Sequence, residues 1–391
     1  MRGNITKRGR ESWRLKFELP REPDGRRRYQ VVTFRGKRRD AEKKLSELLT
    51  AVDKNTFVAP SRVSIGEHVA ARIDQWEASG AIGARTAERY RELLTGQIAP
   101  HLGNMIMQQL KPLDIEAWHR VLRTKGRKDG AGGVGAYTIR GAHRVLSKAL
   151  RDAVRFDMAM RNVAGKEGQT APRMEREEIE IVSAERIGDL LAGLKGRAIY
   201  CKAIVALFTG LRRGELLALR WSRVDLDNKV AKIQEALEET KAHGIRFKAT
   251  KTKSGRRDIE LPEVAIDALR EHRRQQLEHR MALGLGKLRD DALVFPALDG
   301  GPQSPRSLSG DWRKAATKIG FGDVTLHALR HTHASMLIDA GIDVVRISRR
   351  LGHKSPNITL EIYSHLFTKR DSKSAAAINA ALTALGSNLG E

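Results

Sequence analysis

The sequence predicts a multidomain chain: a small β-sheet plus helix at the N-terminus, an all-α middle domain, and a mixed, mainly-α C-terminal domain with a small antiparallel sheet. Three observations carry this. At 391 residues the chain is long enough for two or three cores of ordinary size. The period of its apolar residues changes twice: alternation within residues 1–60, helical spacing over 64–163, and a mixture of both beyond 183. A polar segment with Gly and Pro, KEGQTAPRMEREEIEIV (166–182), reads as a linker. The boundaries expected are therefore 1–60, 61–165, the linker 166–182, and 183–391.

In the first domain WRLKFEL (13–19) alternates as a half-buried strand does, Pro23-Asp24-Gly25 is a turn, and RYQVVTF (28–34) is a second strand. Asp40 is expected to cap a helix reaching Val52. A helix on one face of this sheet leaves the other for Arg14, Lys16, Arg26, Arg27, Arg28 and Arg35. That face suits a DNA groove and a solvated surface equally well. In the middle domain Ser64 is expected to cap a helix with Ile65, Val69, Ile73 and Trp76 inward, and Thr86 to cap AERYRELLTGQIAPHLG. PLDIEAWHRVLRT, containing Asp114, makes a third helix, and a glycine-rich loop (126–135) follows it. The longest helix, Tyr137 to Met158, turns Ile139, Val145, Leu146, Leu150 and Val154 inward. Its polar side carries Arg140, Arg144, Lys148, Arg151 and Arg155, a pattern that fits a solvated face or a DNA contact.

Charge narrows the partner. Lys and Arg number 72 against 47 Asp and Glu, for a net +25. Residues 1–60 hold 17 basic and 8 acidic residues. Such a balance favours a polyanion, nucleic acid ahead of an anionic membrane surface. No apolar run approaches the ~18 residues of a membrane span, and the N-terminus lacks the apolar stretch of a signal peptide, so a cytoplasmic protein is expected. The single cysteine, Cys201, excludes an internal disulfide and a Cys-based zinc site, and its setting CKAIVALF suggests a buried thiol. GLGK (284–287), followed by Leu288, lacks the Ser/Thr of a phosphate-binding loop.

Three segments of the last domain concentrate chemistry. In FTGLRRGELLALRW (208–221) the apolar run ends at Gly210, a helix stop, so Arg212 projects from a tight junction and Glu215 lies one turn on to orient it. In FKATKTKSGRRDIELP (247–262) alternating strands flank Ser254-Gly255, which puts Lys253 at an expected hairpin tip. The third segment begins HALRHTHASMLIDAG (327–341), where His327 and Arg330 share a helical face and Leu329, Met336, Leu337 and Ala340 share another. Asp343 then caps VVRISRRL, Gly352 stops it, His353 sits on the turn, and Ser355-Pro356 opens the segment carrying Tyr363. Arginines, histidines, a lysine and a tyrosine suit attack on a phosphodiester. Guanidinium forks meet the nonbridging oxygens, a histidine helps a tyrosine of pKa near 10 become a nucleophile, and a lysine protonates the leaving oxygen. No carboxylate cluster accompanies them to hold two metal ions.

At TGLR212RGE215L, TK253SG, H327ALR330H, LGH353 and Tyr363 the sequence resembles the tyrosine recombinase (phage integrase) family, with all five motifs in order over 208–365. The resemblance implies a tyrosine recombinase-like fold in which residues 1–60 are an arm-type DNA-binding domain, a three-stranded sheet plus helix, and 61–165 a helical core-binding (SAM-like) domain. It implies Tyr363 as nucleophile, Arg212, Arg330 and His353 as phosphate ligands, His327 in proton transfer, Lys253 as acid and Glu215 in support. Lys251 competes with Lys253 for that role. Arg14, Lys16, Arg28, Arg140, Arg144 and Lys148 are the DNA-contact candidates, while His331 and His333 read as structural and Arg213 as a backbone or surface charge. The resemblance further implies no metal and no cofactor, double-stranded DNA with core and arm-type sites as partner, and a homotetramer on DNA. An excision factor or DNA-bending protein would accompany it in a bacterial host cytoplasm. AAAINAALTAL (375–385) would be a C-terminal helix exchanged between protomers. Two alternatives share parts of the pattern: a type IB topoisomerase-like nick-closing enzyme, and a non-catalytic DNA-binding regulator or excision factor.

Overall fold

The computed structural model describes residues 3–20, 24–54, 57–127, 129, 131–166, 168–173, 180–249, 255–367, 378–379 and 382–383. The chain divides into two units, 1–176 and 177–391. No helix among the described residues is long and apolar enough to cross a membrane.

Alternation builds the N-terminal sheet, with one strand more than the alternation marks. Strands β1 (Gly3–Gly9), β2 (Ser12–Leu19) and β3 (Arg28–Arg35) pair antiparallel in that order. Helix α1 (Arg38–Asp53) closes a small core of Leu15, Phe17, Ala41, Leu45 and Val52. Asp40 is not its cap. The helix starts two residues earlier, after Lys37, and Asp40 lies in its first turn, where a carboxylate still suits the helix dipole. The register sets Arg28 opposite Leu19, so by parity it shares the face of Gln30, Val32 and Phe34, toward the helix. Arg14 and Lys16 do lie on the opposite face, Lys16 with its ammonium 4.3 Å from the centre of the Tyr29 ring.

Helices α2 (Ile65–Ala78), α3 (Ala84–Leu93), α4 (Ala99–Leu102), α5 (Pro112–Lys125) and α6 (Ala136–Arg155) enclose a second core that includes Ile73, Trp76, Ile98, Trp118, Val145 and Leu146. Ser64 caps α2 in a reciprocal box with Glu67. Thr86 caps nothing: α3 starts at Ala84 after Gly83, and one π-helical turn, Leu94–Ile98, joins it to α4.

The second unit runs α7 (Ala184–Leu194), α8 (Tyr200–Thr209), α9 (Arg213–Leu217), β4 (Val224–Asp225), β5 (Val230–Ile233), β6 (Glu235–Thr240), β7 (Gly244–Ala249), β8 (Arg257–Glu260), α10 (Glu263–Ala282), α11 (Pro305–Lys318), α12 (Leu326–Asp339), α13 (Val344–Leu351) and α14 (Pro356–Phe367). Val182, at the end of the expected linker, belongs to this unit's core, and its N–H donates to Thr332. Apolar α8 packs against α10 and α12 at the centre. The strands flanking residues 250–254 do not form a hairpin with each other. β7 pairs with β6, and β8 pairs with β5 in a separate sheet β4-β5-β8. Alternation marks a strand without naming its partner, and the nearer turn at 241–243 closes the β6–β7 hairpin first. Helix α12 is buried on most sides. Arg330, Thr332, His333 and Ser335 join Leu329 inside, whereas Ala340 lies exposed beyond the helix end.

Candidate active site

The junction α8–Gly210–Arg212 is shaped by one glycine. Gly210 ends α8 at φ +66°, a left-handed conformation that costs glycine little, and a Cβ there would come within 2.6 Å of the His333 ring and 2.9 Å of Leu351. The chain then turns, and Arg212 stands immediately before α9. Its backbone N–H donates to Glu215 Oε2 (2.9 Å), its Nη1 to Glu215 Oε1 (2.8 Å), and its Nη2 to the Gly352 carbonyl (2.8 Å). The Arg212 side chain remains 41% exposed while Glu215 is only 3% exposed. Burial opposes ionisation of Glu215, but Arg257 and Arg212 outweigh it and hold the carboxyl below its ordinary range.

Arg330, 4% exposed on α12, donates from Nη1 to the Gly210 carbonyl (2.6 Å) and from Nη2 to the Leu351 carbonyl (2.7 Å). Burial and the neighbouring Arg212 push its guanidinium down to about 9. Asp343 caps α13 as its spacing predicts, and Gly352 ends it at φ +67°, which places His353 on the following turn. His353 Nδ1 lies 2.8 Å from the Thr359 hydroxyl. Burial, with Arg330, Arg212 and Arg257 nearby, lowers that ring to about 4.

Arg212, Glu215, His327, Arg330 and His353 line one pocket of about 510 Å3, together with Lys248, Lys354 and Gly255. Lys248 is paired with Glu238 (2.9 Å). Tyr363 stands behind this wall. It is 1% exposed, packed with Ala334, Ile338, Ile347 and Leu351, and its hydroxyl lies 2.7 Å from His331 Nδ1. Burial raises the phenol to about 12, with Arg330 opposing. His331 in turn meets the His327 ring edge-on at 4.7 Å. His331 is thus no plain core histidine, because it holds the expected nucleophile's hydroxyl. His333 does fit a structural role, accepting from Arg350 Nε at 3.0 Å. Arg213 donates to Ser309. Lys253 and Lys251 lie outside the described residues, as does most of 375–385. Ile378 and Leu382, described there, are exposed.

The charges singled out for DNA belong to the other unit. Arg140 and Arg144 are exposed on α6, Arg140 reaching the Pro172 carbonyl at 3.4 Å. Lys148 is partly buried, with its ammonium 3.5 Å from the centre of the Trp76 ring. Two participants in this arrangement, Arg257 and the half-buried His331, escape sequence reasoning. Arg257 sits in a basic run beside an equally charged Arg256, and nothing in the local pattern separates the two.

A sequence model described as the phage integrase family matches residues 182–370. Residues 182–370 are a domain of this family, and the chain is a tyrosine recombinase. The recombinase is 26% identical over 395 residues to a tyrosine recombinase XerC-like protein of Caldanaerobacter subterraneus subsp. tengcongensis, which covers 96% of this chain and 98% of that one. It is 28% identical over 366 residues to an integrase of Streptomyces ambofaciens, with 90% and 89% covered. The Tn1549 transposon integrase in complex with a circular intermediate DNA has a TM-score of 0.65 at 21% identity, over 82% of this chain and 99% of that chain. A lambda integrase tetramer bound to a Holliday junction has a TM-score of 0.52 at 17% identity, over 90% and 96%. These two structures share the recombinase's fold, mixed and mainly helical with small antiparallel sheets. The recombinase is a site-specific one, as its motifs imply.

Its buried imidazoles set a pH dependence of folding. Burial pushes His333 down to about 3 and His331 and His353 to about 4, from an ordinary 6.5, with Arg350, His327 and Arg330 respectively as the leading charged neighbours. The unfolded chain takes up protons below about pH 6.5 that the native state refuses, so stability is lost as pH falls from there toward 4. Glu215, held below 4.5, adds its loss in a lower window. The expected result is a thermal midpoint that declines steadily from pH 6.5 to pH 4. A flat profile across that range contradicts the burial of these rings.

Proposed function

We propose that the recombinase cuts and rejoins double-stranded DNA through a 3′-phosphotyrosyl intermediate on Tyr363, integrating or excising a phage genome or another mobile element. The observation that carries this reading is the charge of the pocket. Two guanidiniums and two imidazoles surround one space in which Glu215 is the only carboxylate among the described lining residues. Such a site is built for an anion whose charge grows on nonbridging oxygens. Arg212 and Arg330 each spend donors on backbone carbonyls, so their positions are fixed before DNA arrives, and preorganised donors cost nothing to reorient at the moment of reaction.

In this mechanism Arg212, Arg330 and His353 hold the scissile phosphate. Tyr363 must first exchange His331 for the phosphate, since its hydroxyl is buried and its phenol is raised in the DNA-free protein. His327, touching both the pocket and His331, helps carry the tyrosine proton away. The Tyr363 oxygen forms a bond to phosphorus as the bond to the 5′-oxygen breaks, and Lys253 protonates that leaving oxygen. Strand joining reverses these steps with a 5′-hydroxyl from another strand. Exchange between two duplexes takes four cleavages, one tyrosine each, hence a tetramer. The lambda integrase tetramer on a Holliday junction supports that number. Residues 1–60 serve arm-type sites, through a face that includes Arg14, Lys16 and Arg35, and 61–165 serve core sites. An excision factor or DNA-bending protein would set direction in the bacterial cytoplasm.

The test uses DNA flanking the gene in its host, cloned as two sites on one plasmid. The expected result is recombination without ATP or added metal, with a fragment starting at residue 61 still cleaving core sites and losing arm-site affinity. Relaxation of supercoils without exchange between sites favours the nick-closing reading instead. Binding with no cleavage at all favours a regulator.

A further inference from the structure

Helix α13 ends at Gly352 with carbonyl oxygens that have no donor further along the helix. Three consecutive ones are met by three arginines from three different elements. The Arg350 carbonyl accepts from Arg257 Nε (2.6 Å), the Leu351 carbonyl from Arg330 Nη2 (2.7 Å), and the Gly352 carbonyl from Arg212 Nη2 (2.8 Å). His353 is the next residue. Arg257 is withdrawn from solvent, its side chain 7% exposed on β8, and it is not among the residues lining the pocket. Its other edge grips Glu215, with Nη2 to Oε2 at 2.8 Å and Nη1 to Oε1 at 3.2 Å, and Glu215 in turn holds Arg212.

We propose that Arg257 is a positioning residue for DNA cleavage, registering Arg212 through Glu215 and His353 through the Arg350 carbonyl so that both phosphate ligands keep one spacing. The assignment rests on the functional reading above. The turn has separate anchors for folding. Arg350 donates to His333 (3.0 Å), to the Phe208 carbonyl (3.2 Å) and to the Glu260 carbonyl (3.0 Å), so α13 stays docked without Arg257. What Arg257 adds is the link between β8, the Glu215–Arg212 pair and the last turn of α13. A lysine offers one compact donor and cannot span a carboxylate and a carbonyl on opposite sides.

The test compares wild type with Arg257→Lys and Arg257→Gln on a nicked suicide substrate from the host flanking DNA, reading single-turnover adduct formation, DNA affinity by gel shift, thermal midpoint and pH profile. The expected result is unchanged DNA affinity with adduct formation slowed about 10²-fold, the cost of ångström-scale misplacement of a clamp. The pH profile supplies a readout that a merely structural role leaves alone. Glu215 faces Arg212 from its own helix start, Arg257 from β8 and Arg330 from α12. Removing Arg257 leaves burial less opposed, so the carboxyl rises and its protonation releases Arg212. Cleavage by the glutamine variant, taken relative to wild type at the same pH, therefore falls as pH is lowered and recovers as pH is raised. Should either single variant unfold, Arg257→Met with Glu215→Gln removes the buried pair together, and it too is expected to bind DNA normally and cleave slowly. A folded variant that cleaves at the wild-type rate overturns the assignment, as does a slow variant whose loss is independent of pH and matched by lost DNA affinity. A wild-type protein that forms no adduct on this substrate overturns the functional reading, and the assignment with it.

Discussion

Tyr363→Phe is expected to abolish the covalent DNA adduct and leave DNA affinity intact. The ring sits among Ala334, Ile338, Ile347 and Leu351, and the phenylalanine fills the same space. Only the hydrogen bond to His331 is lost, a change of about 1 kcal/mol in stability, so the fold persists. DNA affinity rests on many phosphate contacts and does not depend on this hydroxyl. Catalysis does, because the other tyrosines (Tyr29, Tyr90, Tyr137 and Tyr200) lie elsewhere in the chain. Gel shift and denaturing-gel trapping on a nicked substrate measure the two properties separately. A variant that still becomes covalently attached to DNA removes Tyr363 from the mechanism.

The second large effect belongs to Arg330. Its guanidinium bridges the Gly210 and Leu351 carbonyls from a nearly closed position, tying the end of α8 to the end of α13 beneath the pocket. Arg330→Lys keeps the charge but cannot reach both carbonyls. Loss of one preorganised donor to a charged transition state costs about 10²- to 10³-fold, so single-turnover cleavage is expected to fall at least that far. The ordinary lysine also takes up burial differently: its ammonium sheds a proton more readily than a guanidinium, so its deficit widens above neutral pH. Equal cleavage by lysine and arginine at this position contradicts the two-carbonyl clamp.

The parts of this site that are legible in the sequence are those fixed by local geometry. Gly210 and Gly352 stop helices, Asp343 and Ser64 start them, and the residues hung on those stops, Arg212 and His353, fall where the spacing predicts. Partners across the fold are another matter. The alternation in 244–249 and 257–260 marks two strands, yet it carries no record of β6 and β5 waiting to pair with them. His331 reads as a core histidine because its neighbour in space, Tyr363, is 32 residues away. Arg28 falls on the packed side of its sheet since its parity is set by the register against β2, not by its own strand's composition. Arg257 shows the same limit most plainly, because its function lies in a carboxylate 42 residues before it and a carbonyl 93 residues after it.

In the proposed mechanism one tyrosine, buried against His331 in the DNA-free protein, becomes the covalent link to DNA. Trapping the wild-type recombinase on a suicide substrate, digesting the adduct and mapping the modified peptide by mass spectrometry measures this directly. The expected product is a nucleotide joined through its 3′-phosphate to the peptide containing Tyr363, with a free 5′-hydroxyl on the other DNA end. A link to any other residue, or a 5′-phosphate attachment, would contradict it.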